Sequence, residues 1–220
     1  MYQWNWDAAR ESIPIILEGL PVTLSVAVVV MLISLPLAVV VGLARFSRFR
    51  LVRGAAYWYT ELFRTLPLLV VLTWFFFVPG LTFGINLSPF LVAVAAFVLN
   101  STAFLAEVVR GAYASIDPGQ RHAALSTGMT PFQTDRRVVL PQAFRRAIPV
   151  VGSTWVSLFR DSALVSVVGV HDMMFEAQTL AVINYRPIEV LSVAALIYFV
   201  LTYPQARLVE RLFQRLRVIA

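Results

Sequence analysis

The 220-residue chain has no cysteine, no lysine and only two histidines. Without cysteine there is no disulfide, no thiol nucleophile and no thiolate metal site. Without lysine there is no Walker A loop, so this chain has no P-loop ATPase site, and lysine Schiff-base chemistry is excluded as well. His122 and His171 are far apart in sequence, so no histidine metal site is expected, and no cofactor. Charge is also scarce. Charged residues make up 14% of the chain, against about 25% in soluble domains.

What is present is apolar. Hydrophobic residues make up 59% of the chain, and the mean hydropathy is +0.77. Five apolar runs stand out, at 21–44, 54–78, 88–109, 147–170 and 188–208. Each is near the ~20 residues that a hydrocarbon core of ~30 Å requires of a helix. Open backbone is not tolerated in lipid, so the runs are expected to be helices. The expectation is an all-α integral membrane protein: one domain over 1–220 with five transmembrane helices.

All eighteen basic residues are arginine, and their positions set the orientation. Arg45, Arg48, Arg50 and Arg53 lie between runs one and two. Arg110, Arg121, Arg136, Arg137, Arg145 and Arg146 lie between runs three and four, and Arg207, Arg211, Arg215 and Arg217 follow run five. These fourteen fall on one side, which places the C-terminus in the cytoplasm and the N-terminus outside. The net charge of +6 therefore follows topology and implies no nucleic-acid partner. Residues 4–17 mix Trp, Ile and Leu with Asp7, Arg10 and Glu11, and read as an interfacial helix on the outer surface.

The cytoplasmic loop 111–146 contains two helix starts written alike. Asp117-Pro118-Gly119-Gln120 supplies an N-cap, a proline at the first helical position and glutamine at the third. Thr130-Pro131-Phe132-Gln133 repeats the arrangement, and Gly128 between them suits a left-handed helix end. The pattern predicts a helix, a sharp elbow, and a second helix that Pro141 interrupts. Ala123 and Ala124 would let another surface approach the first helix closely. The bland alternative is a loop packed on its own helix ends.

The run His122-Ala123-Ala124, Gly128, Val138, Leu140-Pro141 resembles, in spacing throughout, the "EAA" signature of permease subunits of bacterial ABC importers. The continuation Gln142-Ala143-Phe144-Arg145-Arg146 is similar to the polar amino-acid branch of that family. So are Glu61-Leu62-Phe63-Arg64-Thr65-Leu66-Pro67-Leu68 and Ala106-Glu107-Val108-Val109-Arg110-Gly111. The opening twenty residues resemble glutamate/aspartate-type permeases. The resemblance implies a type I importer permease in the bacterial inner membrane that carries a polar amino acid, with the acidic ones leading. It implies three kinds of partner: a dimer of ATP-binding cassette ATPases, a second permease and an extracytoplasmic solute-binding protein. It makes His122, Ala123, Ala124, Gly128, Leu140 and Pro141 the ATPase-coupling segment. His122 stands where the family has glutamate, which removes a fixed negative charge.

Arg160 and Asp161 lie about 20 Å into run four at the helical rise, where lipid exposure is too costly. A guanidinium can take an amino acid's carboxylate through two parallel bonds, and a carboxylate can take its ammonium. Asn100, midway along run three, adds an amide at similar depth. In the resembled branch these positions line the substrate cavity of some members. The structural alternative pairs Asp161 with Arg64 and leaves Asn100 bonding between helices. Glu61 with Arg64, and Glu107 with Arg110, are three apart and read as a gate or brace. Asp172, Glu176 and Arg186 read as a solvated outer face or a rim for a binding protein. Trp74-Phe75-Phe76-Phe77 reads as an interfacial belt. The rival class is a small ion channel or secondary transporter with no ATPase.

Overall fold

The computed structural model describes residues 2–217, without the side chains of 215–217. Met1 and the side chains of Arg215 and Arg217, assigned above to the basic tail, lie outside the described residues. All regular structure among the described residues is helical. The order is α1 (Trp6–Glu18), α2 (Leu20–Ala44), α3 (Arg50–Thr65), α4 (Leu68–Phe83) and α5 (Pro89–Ala114). It continues with α6 (Pro118–Ser126), α7 (Pro131–Thr134), α8 (Leu140–Asp161), α9 (Met173–Ile183) and α10 (Pro187–Arg217). A π-helical stretch, Asp135–Val139, leads into α8, and a 3-10 stretch, Ser162–Val168, follows it.

Among the described residues, three helices are long and apolar enough to cross a membrane: Trp6–Ala44, Pro89–Ala114 and Pro187–Gln214. A fourth arises if the pair α3 and α4 counts as one span, and that pair is bent by 100°. The expected straight helix over 54–78 is therefore corrected. Pro67 has no N–H, and it holds Leu66 extended at ψ 134°. The expected run 147–170 is divided as well. Regular helix stops at Asp161 and tightens into seven residues of 3-10 helix, ending at Gly169. That is longer than such stretches usually run. The segment read over 4–17 is helical from Trp6 onward, and it runs through Gly19 directly into α2.

α2 and α5 form the centre. Apolar contact gains little over lipid, so close van der Waals packing must hold the spans together. The sequence supplies small residues for it: Ala27, Ala38, Ala93, Ala96, Ala103 and Ala106 are fully buried. Gly42 lets the helices touch, since a Cβ there would lie 2.7 Å from the carbonyl oxygen of Ala106. Val26, Val30, Leu72, Phe97, Leu158 and Val165 complete this core. A second cluster joins Ile16 of α1, Phe159 of α8, Met173 and Ala177 of α9, and Val190 and Ala194 of α10.

The outer loop departs from the expected solvated face. Asp172 is fully buried. It caps α9 by accepting from the N–H of Phe175 at 2.9 Å, and it accepts from the Tyr198 hydroxyl at 3.2 Å. The next N–H, of Met173, donates to Thr23 of α2 at 3.2 Å. Glu189, also fully buried, receives the Tyr2 hydroxyl and the N–H of Asn5, with Arg186 at 3.6 Å. Of the three residues assigned to that face, Glu176 pairs at the surface with His171 at 3.1 Å, and Arg186 turns to Glu189.

Two outcomes follow from this packing. A Cβ on Gly19 would lie 2.4 Å from the backbone of Asp172 and Met173. Gly19→Ala should therefore cost about 2 kcal/mol, read as a lowered Tm of the purified protein. Gly54→Ala, with nothing within 4 Å, should be neutral or slightly stabilising. Burial pushes the Asp172 carboxyl from 3.8 up to about 6. The native state then holds this proton more tightly than the unfolded chain, so its stability falls as pH rises from about 4 to about 6. Asp172→Asn should abolish that fall and be the more stable form at pH 7, by up to about 3 kcal/mol. Thermal melts across pH would show it.

Candidate functional site

The break at Pro67 creates a polar requirement inside the bundle. Without the Pro67 N–H, the carbonyl of Phe63 has lost its usual helical donor. Asn100 of α5 supplies one, its amide nitrogen lying 2.7 Å from that oxygen. The Tyr59 hydroxyl makes the reciprocal contact, donating to the carbonyl of Leu99 at 2.8 Å. Asn100 is thus the interhelical bond considered above, and its amide oxygen remains available.

Asn100 also lines a cavity of about 300 Å3 between α4, α5 and α8. Asn100, Ser101, Ser153, Thr154, Ser157 and Asp161 form its polar wall, with Phe104, Leu68 and Leu158 as the apolar part. Ser153, Ser157 and Asp161 recur every four residues, so they share one face of α8. This stripe was readable in the sequence, and the hydroxyls were missed. The Ser153 and Thr154 hydroxyls donate to the Val150 carbonyl and keep lone pairs for a ligand. The Asp161 carboxylate has no hydrogen bond or ion pair with another side chain among the described residues. The wall is therefore rich in acceptors and suited to an ammonium.

Arg160 is not on that wall. Adjacent helical residues point ~100° apart, and Arg160 emerges on the exposed surface, donating to the Ser157 hydroxyl at 3.3 Å. Asp161 and Asn100 are brought together, and Arg160 is not brought to them. Arg64 does not pair with Asp161. It lies 3.9 Å from both Glu61 and Glu107.

Glu107 is the centre of a charged cluster. It receives Arg110 of its own helix at 2.5–3.0 Å through three contacts. Arg45, at the end of α2, reaches it at 3.3 Å and also donates to Thr60 of α3 at 2.6 Å. One carboxylate therefore ties together α2, α3 and α5. The two expected three-apart pairs are present, but Arg45 joins them from a different element. The sequence showed Arg45 only as one of the topological charges.

The loop folds as its caps predict. Asp117 accepts from the N–H of Gly119, and Thr130 with Gln133 forms a reciprocal capping box. Gly128 is left-handed at φ 86°, a conformation that only glycine adopts without cost. Pro141 does not interrupt the second helix. The ladder widens before it, so that Leu140 donates to Asp135, and Pro141 falls in the first turn of α8. Tyr113 donates to Asp135 at 3.0 Å, and Arg121 lies 3.4 Å from the same carboxylate, which fixes the elbow to α5. His122, Ala123 and Gly128 face out, whereas Ala124 is buried and Leu140 is half-buried. Phe132 projects from the elbow at 72% exposure.

Removing the Glu107 charge leaves three guanidiniums facing one another. Glu107→Gln should lower stability by roughly 2 kcal/mol, and Arg110→Gln by less, because Arg45 and Arg64 still compensate the carboxylate. Thermal melts of the two variants side by side would check the order.

The match to known proteins covers nearly the whole chain. Residues 34–218 match the family model of the binding-protein-dependent transport system inner membrane component. The glutamine transport system permease protein of Escherichia coli is 31% identical over 99% of this chain and 100% of its own. A glutamate/aspartate import permease protein of Escherichia coli is 33% identical over 98% and 99%. The arginine transport system permease protein of Bacillus subtilis is 36% identical over 90% of each chain. A crystal structure of an amino acid ABC transporter with histidines superposes with a TM-score of 0.92 at 30% identity, covering 97% of this chain and 100% of that one. An inward-facing methionine ABC transporter, 22% identical with a TM-score of 0.73 over 93% and 97%, shares the fold. The chain belongs to the binding-protein-dependent transport system inner membrane components, the permease subunits of ABC importers.

Proposed function

We propose that this chain is the permease subunit of an ATP-driven importer for a polar amino acid. The observation that carries the proposal is full-length likeness to glutamine, glutamate/aspartate and arginine permeases. The chain does no covalent chemistry, and ATP is hydrolysed by a partner. The channel or secondary-transporter reading has no comparable support.

In this reading the chain is one multi-pass domain of the bacterial inner membrane, over 1–220. It has five spans, with the N-terminus outside and the C-terminus cytoplasmic. The bent pair α3 and α4 makes the second, and α8 with its 3-10 continuation makes the fourth. The arginine asymmetry supports the orientation. An extracytoplasmic binding protein delivers the solute. A pair of ATPases docks on the elbow, where His122 and Ala123 stand outward and Gly128, Leu140 and Pro141 set its angle. Closure of the ATPases then moves α6 and α8 as a rigid body. The Glu107 cluster, with Glu61, Arg64, Arg110 and Arg45, braces α2, α3 and α5 through that motion.

The solute site is the cavity between α4, α5 and α8. Asp161 takes the ammonium, and Asn100 with the hydroxyls of Ser153 and Ser157 orients it. Arg160, exposed at the same level, is too costly to leave in lipid. A second permease related by a two-fold axis would cover it and bring it to the substrate carboxylate.

The absence of cysteine makes the docking test clean. A single Ala123→Cys should cross-link to a cysteine placed in the ATPase groove of the assembled complex. Ala123→Arg, on an exposed face, should leave the fold intact and reduce uptake by about tenfold or more, the effect of losing ~1.4 kcal/mol of docking. For the cavity, Asp161→Asn and Arg160→Gln should each abolish amino-acid uptake by an assembled complex. Normal transport by either would remove that residue from the site.

A further inference from the structure

Between the end of α2 and the start of α3 lies a cleft of about 400 Å3, separate from the solute cavity and bordered on one side by the Glu107 cluster. Four guanidiniums line it: Arg45, Arg50, Arg53 and Arg110. Negative charge near it is scarce. Glu107 is shared between Arg45 and Arg110, with Arg64 also in reach. Arg53 donates to the neutral carbonyl of Ser47 at 3.0 Å. Arg50 has no ion pair among the described residues. α3 begins at Arg50 with no side-chain cap, which adds the partial positive charge of a helix start. The cleft thus carries an excess of positive charge, and guanidiniums match the oxygen geometry of phosphate.

The residues next to Arg50 in sequence, and a neighbouring stripe of α3, are apolar and exposed. Phe49 is 60% exposed and Leu51 is 89% exposed, and Trp58 and Leu62 continue the Leu51 stripe along α3. A free phosphate would gain nothing from these side chains. A lipid would set its acyl chains against them, with its phosphate at the arginines.

We propose that this cleft binds the phosphate head group of an anionic phospholipid, with Arg50 and Arg53 as its main ligands and the acyl chains lying along Phe49 and Leu51. Arg45 and Arg110 border the head group while still holding Glu107. An occupied cleft therefore steadies the joint between α2, α3 and α5. The proposal does not depend on which solute is carried.

The test uses the whole importer complex in detergent. Native mass spectrometry would count retained phosphatidylglycerol against phosphatidylcholine, and melts would be run with phosphatidylglycerol or with inorganic phosphate. Selective retention of phosphatidylglycerol is expected, with a raised Tm that inorganic phosphate does not reproduce. The double variant Arg50→Gln/Arg53→Gln should retain phosphatidylglycerol roughly thirtyfold less well, the effect of two arginines beside an anionic head group. Its Tm in phosphatidylcholine should be unchanged. Arg50→Lys/Arg53→Lys, which keeps the charge, should recover part of the selectivity. Equal retention of both lipids by the wild type would overturn the proposal. So would a full shift from inorganic phosphate alone, which would make this a free-anion site. Loss of the ATPase from the double glutamine variant, with lipid retention intact, would make it a protein contact instead.

Discussion

Glu107 is one carboxylate among three arginines, and it lies where three helices converge. Arg45 comes from the end of α2, Arg64 from α3 and Arg110 from the next turn of α5. Without the carboxylate these three positive ends would repel one another at close range. With it, α2, α3 and α5 share a fixed point.

The bend at Pro67 is the second constraint. A straight helix over 54–78 would satisfy its own backbone, and a bent one cannot. The unpaired carbonyl of Phe63 is met by Asn100, so the same amide closes a structural gap and faces the cavity. A polar residue deep in a span therefore has two roles, and neither excludes the other. The 3-10 stretch after Asp161 acts similarly at the far side of the cavity. It ends α8 with Asp161 facing the cavity and Arg160 facing away.

Much of this architecture was readable from local chemistry. The caps at Asp117 and Thr130, the left-handed Gly128 and the three-apart pair Glu107 and Arg110 depend on residues within a turn of each other. All formed as written. What the sequence did not disclose depends on distant partners. Arg45 was one charge among fourteen until α2 and α5 were placed side by side. Asp172 looked like a solvated outer residue, but it is fully buried and held by Tyr198 of α10. The 100° bend needed both Pro67 and a donor on another helix. Pro141 misled in the opposite direction, because a locally widened helix absorbed a proline that propensity alone would treat as a break.

The central claim is that a partner's ATP hydrolysis drives solute through this chain. It is tested most directly by reconstituting the complex with its binding protein in liposomes and following labelled amino acids with ATP inside the ATPase compartment. The account predicts uphill accumulation that requires both ATP and the binding protein, and that stops when the ATPase is disabled. Accumulation that continues with the ATPase disabled, and that follows an imposed ion gradient instead, would contradict it.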